Sequence, residues 1–138
     1  SKYGTASPVA GTAQIALCAY RFTNDERLFD WAKAAAKPYL EEPLPEDTAV
    51  PAGDPGAGIG LLADLYDQTG EDQWLEGGMD LAGAMMDVYM DGDLPRGSSQ
   101  TEDYESQLGP GNLLYALTRL ALLAKDRPQD PGPDYTNR

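Results

Sequence analysis

Residues 61–75 read LLADLYDQTGEDQWL, an apolar segment that passes through a Thr-Gly pair into a more polar one. A shift of 46 positions lays residues 20–29 (YRFTNDERLF) over residues 66–75 (YDQTGEDQWL). In the earlier copy, Thr23 and Glu26 have the Thr-x-x-Glu spacing of a capping box, which marks the start of a helix. The repeated phrase therefore predicts two helical hairpins, each with a tight turn between its helices.

Hydrophobic periodicity extends this pattern to helical segments at about 8–22, 24–40, 55–68, 70–90 and 110–125. The first, third and fifth segments are apolar almost all round, whereas the second and fourth are amphipathic. A helix that is apolar on every side must be surrounded, and an amphipathic helix can face solvent. We therefore expect an all-α fold in which inner and outer helices alternate as repeated helical hairpins. The inner position of the first segment predicts that Cys18 is buried.

A second register relates the third segment to the fifth. A shift of 55 positions lays Pro55-Gly56 over Pro110-Gly111. In both places proline stands at the start of a helix, where its missing N–H costs nothing. Internal repetition of this kind is typical of repeat architectures.

The connections between the segments alternate in length. Those within a hairpin are tight, whereas residues 41–54 and 91–109 form long loops between hairpins. In an array of antiparallel hairpins, all long loops fall at the end where the inner helices begin. Because long loops in a compact domain are frequently functional, the sequence predicts that a site lies at this long-loop end.

We expect the helical-hairpin array to cover residues 1–126. Residues 127–138 (RPQDPGPDYTNR) have the proline-rich, polar composition of a disordered tail. Such a composition offers too little apolar surface to form a packed core.

Composition excludes several classes of function. The net charge is −13 and no basic run exists, so we expect neither nucleic acid nor a membrane as a partner. The chain contains no histidine, which removes His-based acid–base catalysis and the usual zinc sites. Residues 91–93 (DGD) lack the spacing of a calcium-binding EF-hand loop. We therefore predict no metal site and no cofactor.

The phrase at 61–75 and its copy at 19–29 resemble the unit of inner helix, Thr-Gly turn and outer helix that recurs in (α/α)-toroid proteins. These include six-hairpin glycosidases, polysaccharide lyases and sugar epimerases. The resemblance implies that the chain is part of such a toroid, of which it supplies about two and a half hairpins. Further hairpins would come from the same polypeptide or from a second subunit. The resemblance also implies a carbohydrate ligand and a glycoside hydrolase or polysaccharide lyase activity.

The residues of the long-loop end suit a sugar ligand. Carboxylates and amides hydrogen-bond to hydroxyl groups, and two carboxylates across a glycosidic bond can act as acid and base. The catalytic candidates are Asp54, Glu102 and Glu105, and the substrate-binding candidates are Arg96, Asp103, Tyr104 and Gln107. A neutral glycan fits better than a polyuronate, because Arg96 is the cation in this set.

Other interpretations remain open. Asp54 also fits a simple helix cap, and Glu102, Asp103 and Glu105 also fit a solvated charge run. For the whole chain, the alternative is a non-catalytic helical-repeat module that binds a protein or peptide. An array that ends on an apolar helix leaves a hydrophobic face, which another chain or another part of the polypeptide would cover.

Overall fold

The computed structural model describes residues 9–101 and 106–125. Its helices are α1 (Val9–Thr23), α2 (Glu26–Glu41), α3 (Gly53–Thr69), α4 (Asp72–Tyr89) and α5 (Pro110–Ala124). Two short antiparallel strands, β1 (Met90–Asp91) and β2 (Leu94–Pro95), and a 3-10 turn at Ser106–Leu108 lie between α4 and α5. The helices match the predicted segments, and the prediction of an all-α protein is confirmed for the described residues.

Helix α3 lies at the centre of the described fold, because α1, α2, α4 and α5 all pack against it. Its large apolar side chains, Ile59, Leu61, Leu62 and Leu65, are fully buried. Burying one such side chain contributes about 1.5–3 kcal/mol. The all-round apolar sequence of this segment therefore matches its position among the other four helices.

The turns between α1 and α2 and between α3 and α4 have the same backbone conformation. Asn24 has φ 54° and Gly70 has φ 67°, both in the left-handed region that ends a helix. The Asn24 N–H donates to the Tyr20 carbonyl at 2.8 Å, and the Gly70 N–H donates to the Tyr66 carbonyl at 2.7 Å. The 46-residue shift seen in the sequence is thus a repeat of turn geometry.

The threonine before each turn residue forms the same two hydrogen bonds. The Thr23 hydroxyl donates to the carbonyl four residues earlier at 2.9 Å and accepts from the Asp25 N–H at 3.3 Å. The corresponding distances at Thr69 are 2.7 Å and, from the Glu71 N–H, 3.1 Å. The predicted capping box is wrong in detail, because Thr23 ends α1 and the N-cap of α2 is Asp25, which accepts from the Arg27 N–H.

Glycines bring α3 and α5 into contact at their backbones. A Cβ atom on Gly56 would lie 2.9 Å from the Cα and N atoms of Leu113. A Cβ atom on Gly109, which also has φ 76°, would lie 2.8 Å from the Cα of Gly53. The glycine-rich sequence at the start of α3 therefore serves close helix packing.

Helices α1 and α5 each leave an apolar face uncovered in the described part of the chain. Ile15 and Phe22 on α1 are 59% and 84% exposed, and Leu114 on α5 is 38% exposed. Cys18 lies between the two α1 residues and is also exposed, so the prediction of a buried cysteine is wrong. The reason is positional: α1 packs on α2 and α3, and α5 packs on α3 and α4, so neither is enclosed as α3 is.

The predicted disorder of the tail concerns residues 127–138, which lie outside the described residues. It therefore stays a prediction, together with the division at residue 126. None of the described helices combines the length and the hydrophobicity that a membrane-spanning segment requires.

A matched pair of glycine substitutions tests the backbone contact. We expect Gly56→Ala to lower the free energy of unfolding by about 1–3 kcal/mol, because its methyl group would collide with the backbone of Leu113. Gly83→Ala in α4 meets nothing within 4 Å and should instead raise stability by about 0.5–1 kcal/mol. Urea unfolding midpoints at unchanged slope measure both effects. Equal midpoints for wild type and Gly56→Ala would contradict the close contact.

Candidate functional site

The two long loops are hydrogen-bonded to each other beside the start of α3. The Ala52 N–H donates to the Gly97 carbonyl at 2.8 Å, and the Ser99 N–H donates to the Val50 carbonyl at 3.0 Å. The Ser99 hydroxyl accepts from the Val50 N–H at 3.0 Å. These bonds hold both loops at one end of the helices, where the sequence predicted a site.

Tyr89, at the end of α4, is hydrogen-bonded to this junction between the two loops. Its side chain is buried, and its hydroxyl donates to the Val50 carbonyl at 2.9 Å. A buried hydroxyl without a partner would cost about 1–3 kcal/mol, so this bond stabilises the buried ring. The last residue of α4 is thus bonded to the loop that leads into α3.

A cleft of about 350 Å³ opens beside this junction. It is lined by Gly11, Gln14, Pro51, Gly53, Asp54, Ala57, Gln107, Leu108, Gly109 and Asn112. These residues come from the N-terminal parts of α1, α3 and α5 and from the ends of the two long loops. The cleft thus lies where the inner helices begin.

Asp54 and Gln107 are the two sequence-predicted residues that the structure brings to this cleft. Asp54 occupies the first turn of α3, where a carboxylate interacts favourably with the helix dipole. It is not the N-cap, because α3 starts at Gly53 and Ala52 holds the cap position. The interpretation of Asp54 as a simple cap is therefore wrong.

The remaining predicted site residues are placed differently. Arg96 lies outside the cleft lining: its N–H donates to the Tyr89 carbonyl at 2.7 Å, and its guanidinium group is 3.8 Å from a carboxylate oxygen of Asp91. The β1–β2 hairpin reverses the chain just before Arg96, which directs it toward that strand pair. The other four candidates, Glu102, Asp103, Tyr104 and Glu105, lie outside the described residues.

Asp54 also affects two buried tyrosines. Burial raises the pKa of Tyr39 to about 12, and the negative charge of Asp54 adds to this shift, while an N–H from Ala10 opposes it. Burial likewise raises the pKa of Tyr89, and Asp54 acts in the same direction. The negative charge of Asp54, which lines the cleft, therefore acts on both phenol groups.

Two polar residues of the cleft were missed by sequence reasoning. Gln14 lies on α1, which was interpreted as an apolar helix, and Asn112 lies in the first turn of α5. The available signal was a polar amide within an apolar segment, since a buried polar group usually has a partner. For Gln14 that partner is Asp64, which is 50 positions away in the sequence.

A second hollow, of about 580 Å³, lies between the end of α2 and α4. Its lining combines apolar side chains such as Leu81 and Met85 with the carboxylates of Glu76 and Asp80. It contains none of the predicted site residues. Within residues 9–101 and 106–125, no group of three or more His, Cys, Asp or Glu side chains is arranged to hold a metal ion.

Comparisons with protein-family models, with curated proteins and with solved structures found no match. The toroid resemblance therefore stays a prediction from the repeated sequence phrase.

Titration of Tyr39 tests the proximity of Asp54. We expect Asp54→Asn to lower the pKa of Tyr39 from about 12, because removing the negative charge favours the tyrosinate. The measurement is ¹³C NMR of the tyrosine Cζ atoms, assigned with a Tyr39→Phe variant. Asp93→Asn, in the exposed β1–β2 turn, is the matched control and should leave the titration unchanged.

The same shift predicts how stability depends on pH. The folded-state pKa of Tyr39 lies above the ordinary value of 10.0, so its contribution is fully present below pH 10. That contribution is lost as the pH rises from 10 toward 12.

If Tyr39 titrates identically in wild type and in Asp54→Asn, the Asp54 carboxylate lies too far from the Tyr39 hydroxyl to affect its pKa.

Proposed function

We propose that this chain is part of a carbohydrate-active enzyme, a glycoside hydrolase or polysaccharide lyase-like protein, whose glycan lies in the cleft at the start of α1, α3 and α5. The observation that carries the proposal is the chemistry of the lining: one carboxylate, from Asp54, and three neutral amides, from Gln14, Gln107 and Asn112. Amides and carboxylates between them supply the donors and acceptors that sugar hydroxyls require. The volume is within the range of about 300–1,000 Å³ for small-molecule sites.

A neutral glycan suits this cleft better than an acidic one. The lining contains no lysine or arginine among the described residues, and Asp54 would repel a uronate. Arg96, the cation considered from the sequence, faces Asp91 instead. The net charge of −13 adds a general repulsion of anionic polymers.

Asp54 is the proposed catalytic carboxylate. Cleavage of a glycosidic bond generally needs a second carboxyl group on the opposite side of the bond. The sequence assigns that role to Glu102 or Glu105, and Gln107, two positions after Glu105, lines the cleft. Asp54 lies in the first turn of α3, and Gln107 belongs to the same loop as the two glutamates. Both observations support a catalytic pair formed by Asp54 and one of these glutamates.

A specific observation favours the alternative of a helical-repeat module that binds a partner protein. The 55-residue shift relates Gly56, which contacts the α5 backbone, to Gly111, which meets nothing within 4 Å. It also relates the fully buried Ile59 to Leu114, which is 38% exposed. Helix α5 therefore carries on its outward face a glycine and, three positions later, an apolar residue, as α3 does at the corresponding positions. The partner that fits it is a helix with an apolar stripe like the one α5 presents to α3.

Substitution of Asp54 tests the enzyme proposal. We expect the chain to release reducing ends from one of four neutral polysaccharides: xylan, mannan, starch or mixed-linkage β-glucan. Asp54→Asn should lower kcat by about 10²–10⁴-fold, the usual contribution of an acid–base group. Asp93→Asn controls for loss of surface charge and should keep wild-type turnover. Full turnover by Asp54→Asn would remove Asp54 from the mechanism.

A peptide probe tests the alternative. A synthetic peptide of residues 110–125 carries the stripe that α3 accepts, and we expect it to bind the folded chain by calorimetry. Gly111→Val should weaken this binding roughly tenfold or more by blocking close approach. Gly83→Val, another exposed helical glycine with nothing within 4 Å, is the control. Equal binding by the two variants would exclude the α5 face.

A further inference from the structure

Gln14 is a buried polar residue in α1, a helix whose other buried residues are apolar. The residue is 5% exposed, and it lines the cleft. A buried amide has two donors and an acceptor to satisfy, so its presence in α1 costs free energy unless its partners are well placed. The structure supplies a partner on one side of the amide.

The orientation of the Gln14 amide is determined by Asp64. The Nε2 atom is 2.9 Å from the Oδ2 atom of Asp64. A carboxylate only accepts hydrogen bonds, so the nitrogen must face it; the reversed amide would bring two acceptor oxygens together. The other Asp64 oxygen accepts from the Arg119 guanidinium group, and both of these side chains are 16% exposed. One residue each from α1, α3 and α5 thus forms a chain of hydrogen bonds behind the cleft.

Gly60 gives the amide its room. A Cβ atom at this position would lie 2.9 Å from the Gln14 Nε2 atom. The described residues donate no hydrogen bond to the Gln14 Oε1 atom, and that atom is not among the buried polar atoms that lack a partner. The part of the amide that is not bonded to Asp64 carries the oxygen, and Gln14 lines the cleft.

We propose that Gln14 is a specificity-determining residue of the cleft, whose Oε1 atom accepts a hydrogen bond from a free sugar hydroxyl. Asp64 and Arg119 are positioning residues, because they hold the amide with its oxygen toward the ligand. This inference rests on the proposed function for its class of ligand, a neutral glycan. A sugar that carries an ether oxygen at this place would set acceptor against acceptor, and the site would reject it.

NMR on the ¹⁵N-labelled chain tests the orientation without any ligand. In the wild type, the Gln14 side-chain NH₂ signal should be shifted downfield by its bond to the Asp64 carboxylate. Asp64→Asn removes the charge from that bond, so the signal should move upfield. If Asp64→Asn leaves the Gln14 signal where it was, the proposed positioning role is wrong.

Titration with four neutral tetrasaccharides, cellotetraose, mannotetraose, xylotetraose and maltotetraose, tests the binding role. The Gln14 side-chain signal should move with the backbone signals of Gly53 and Asn112. Gln14→Met keeps the length of the side chain but removes the acceptor, and it should raise Kd roughly three- to tenfold, as loss of one neutral hydrogen bond does. Gln73→Met, at an exposed position of α4 outside the cleft lining, is the matched control and should bind as wild type.

The outcomes separate the two proposals. If the cleft backbone signals move and Gln14→Met binds as tightly as wild type, the role of Gln14 is overturned and the proposed function stands. If none of the four tetrasaccharides moves any cleft signal, the proposed function and the ligand of Gln14 are overturned together. Movement of the cleft signals with weaker binding by Gln14→Met supports both.

Discussion

The contact between the backbones of α3 and α5 determines the position of the other elements around it. Gly53, Gly56 and Gly109 remove the side chains that would otherwise separate the two helices where they begin. Because the starts of these helices touch, the loops that lead into them must meet as well, and they pair through Val50 and Ser99. Helix α1 packs on α3 from elsewhere on its surface, and the space left between the three N-terminal parts is the cleft.

The structural features that the sequence predicted best are those that depend on neighbouring residues along the chain. The helices and their tight turns follow from periodicity and from threonine and glycine at fixed offsets, which act within a few residues. Burial was less predictable, because it depends on distant partners. Helix α3 is enclosed as its composition requires, whereas Cys18 on the equally apolar α1 is exposed. Among the described residues, α1 lies at the edge of the helical array, and no other helix covers its outer side.

The residues of the candidate site also differ in whether local sequence or distant contacts determine their position. Asp54 and Gln107 could be assigned to one end of the fold, because loop lengths alone state which helix ends lie together. Arg96 was assigned to the same end and is not among the residues that line the cleft, since the two-residue strands that redirect its loop have no strong local signal. Gln14 offered one local signal, an amide within an apolar segment, but its partner Asp64 could not be assigned from local pattern because the contact joins residues 50 positions apart.

Cys18 has a practical consequence. It is the single cysteine of the sequence, it is exposed, and it lies one helical turn beyond Gln14 on α1. A thiol-reactive dye attached there would sit on an exposed part of α1, close to the helix surface that carries Gln14. The two tryptophans, Trp31 on α2 and buried Trp74 on α4, are natural energy donors for such a dye. Movement of α1 relative to the other helices can therefore be followed by fluorescence in the native sequence, with no engineered residue.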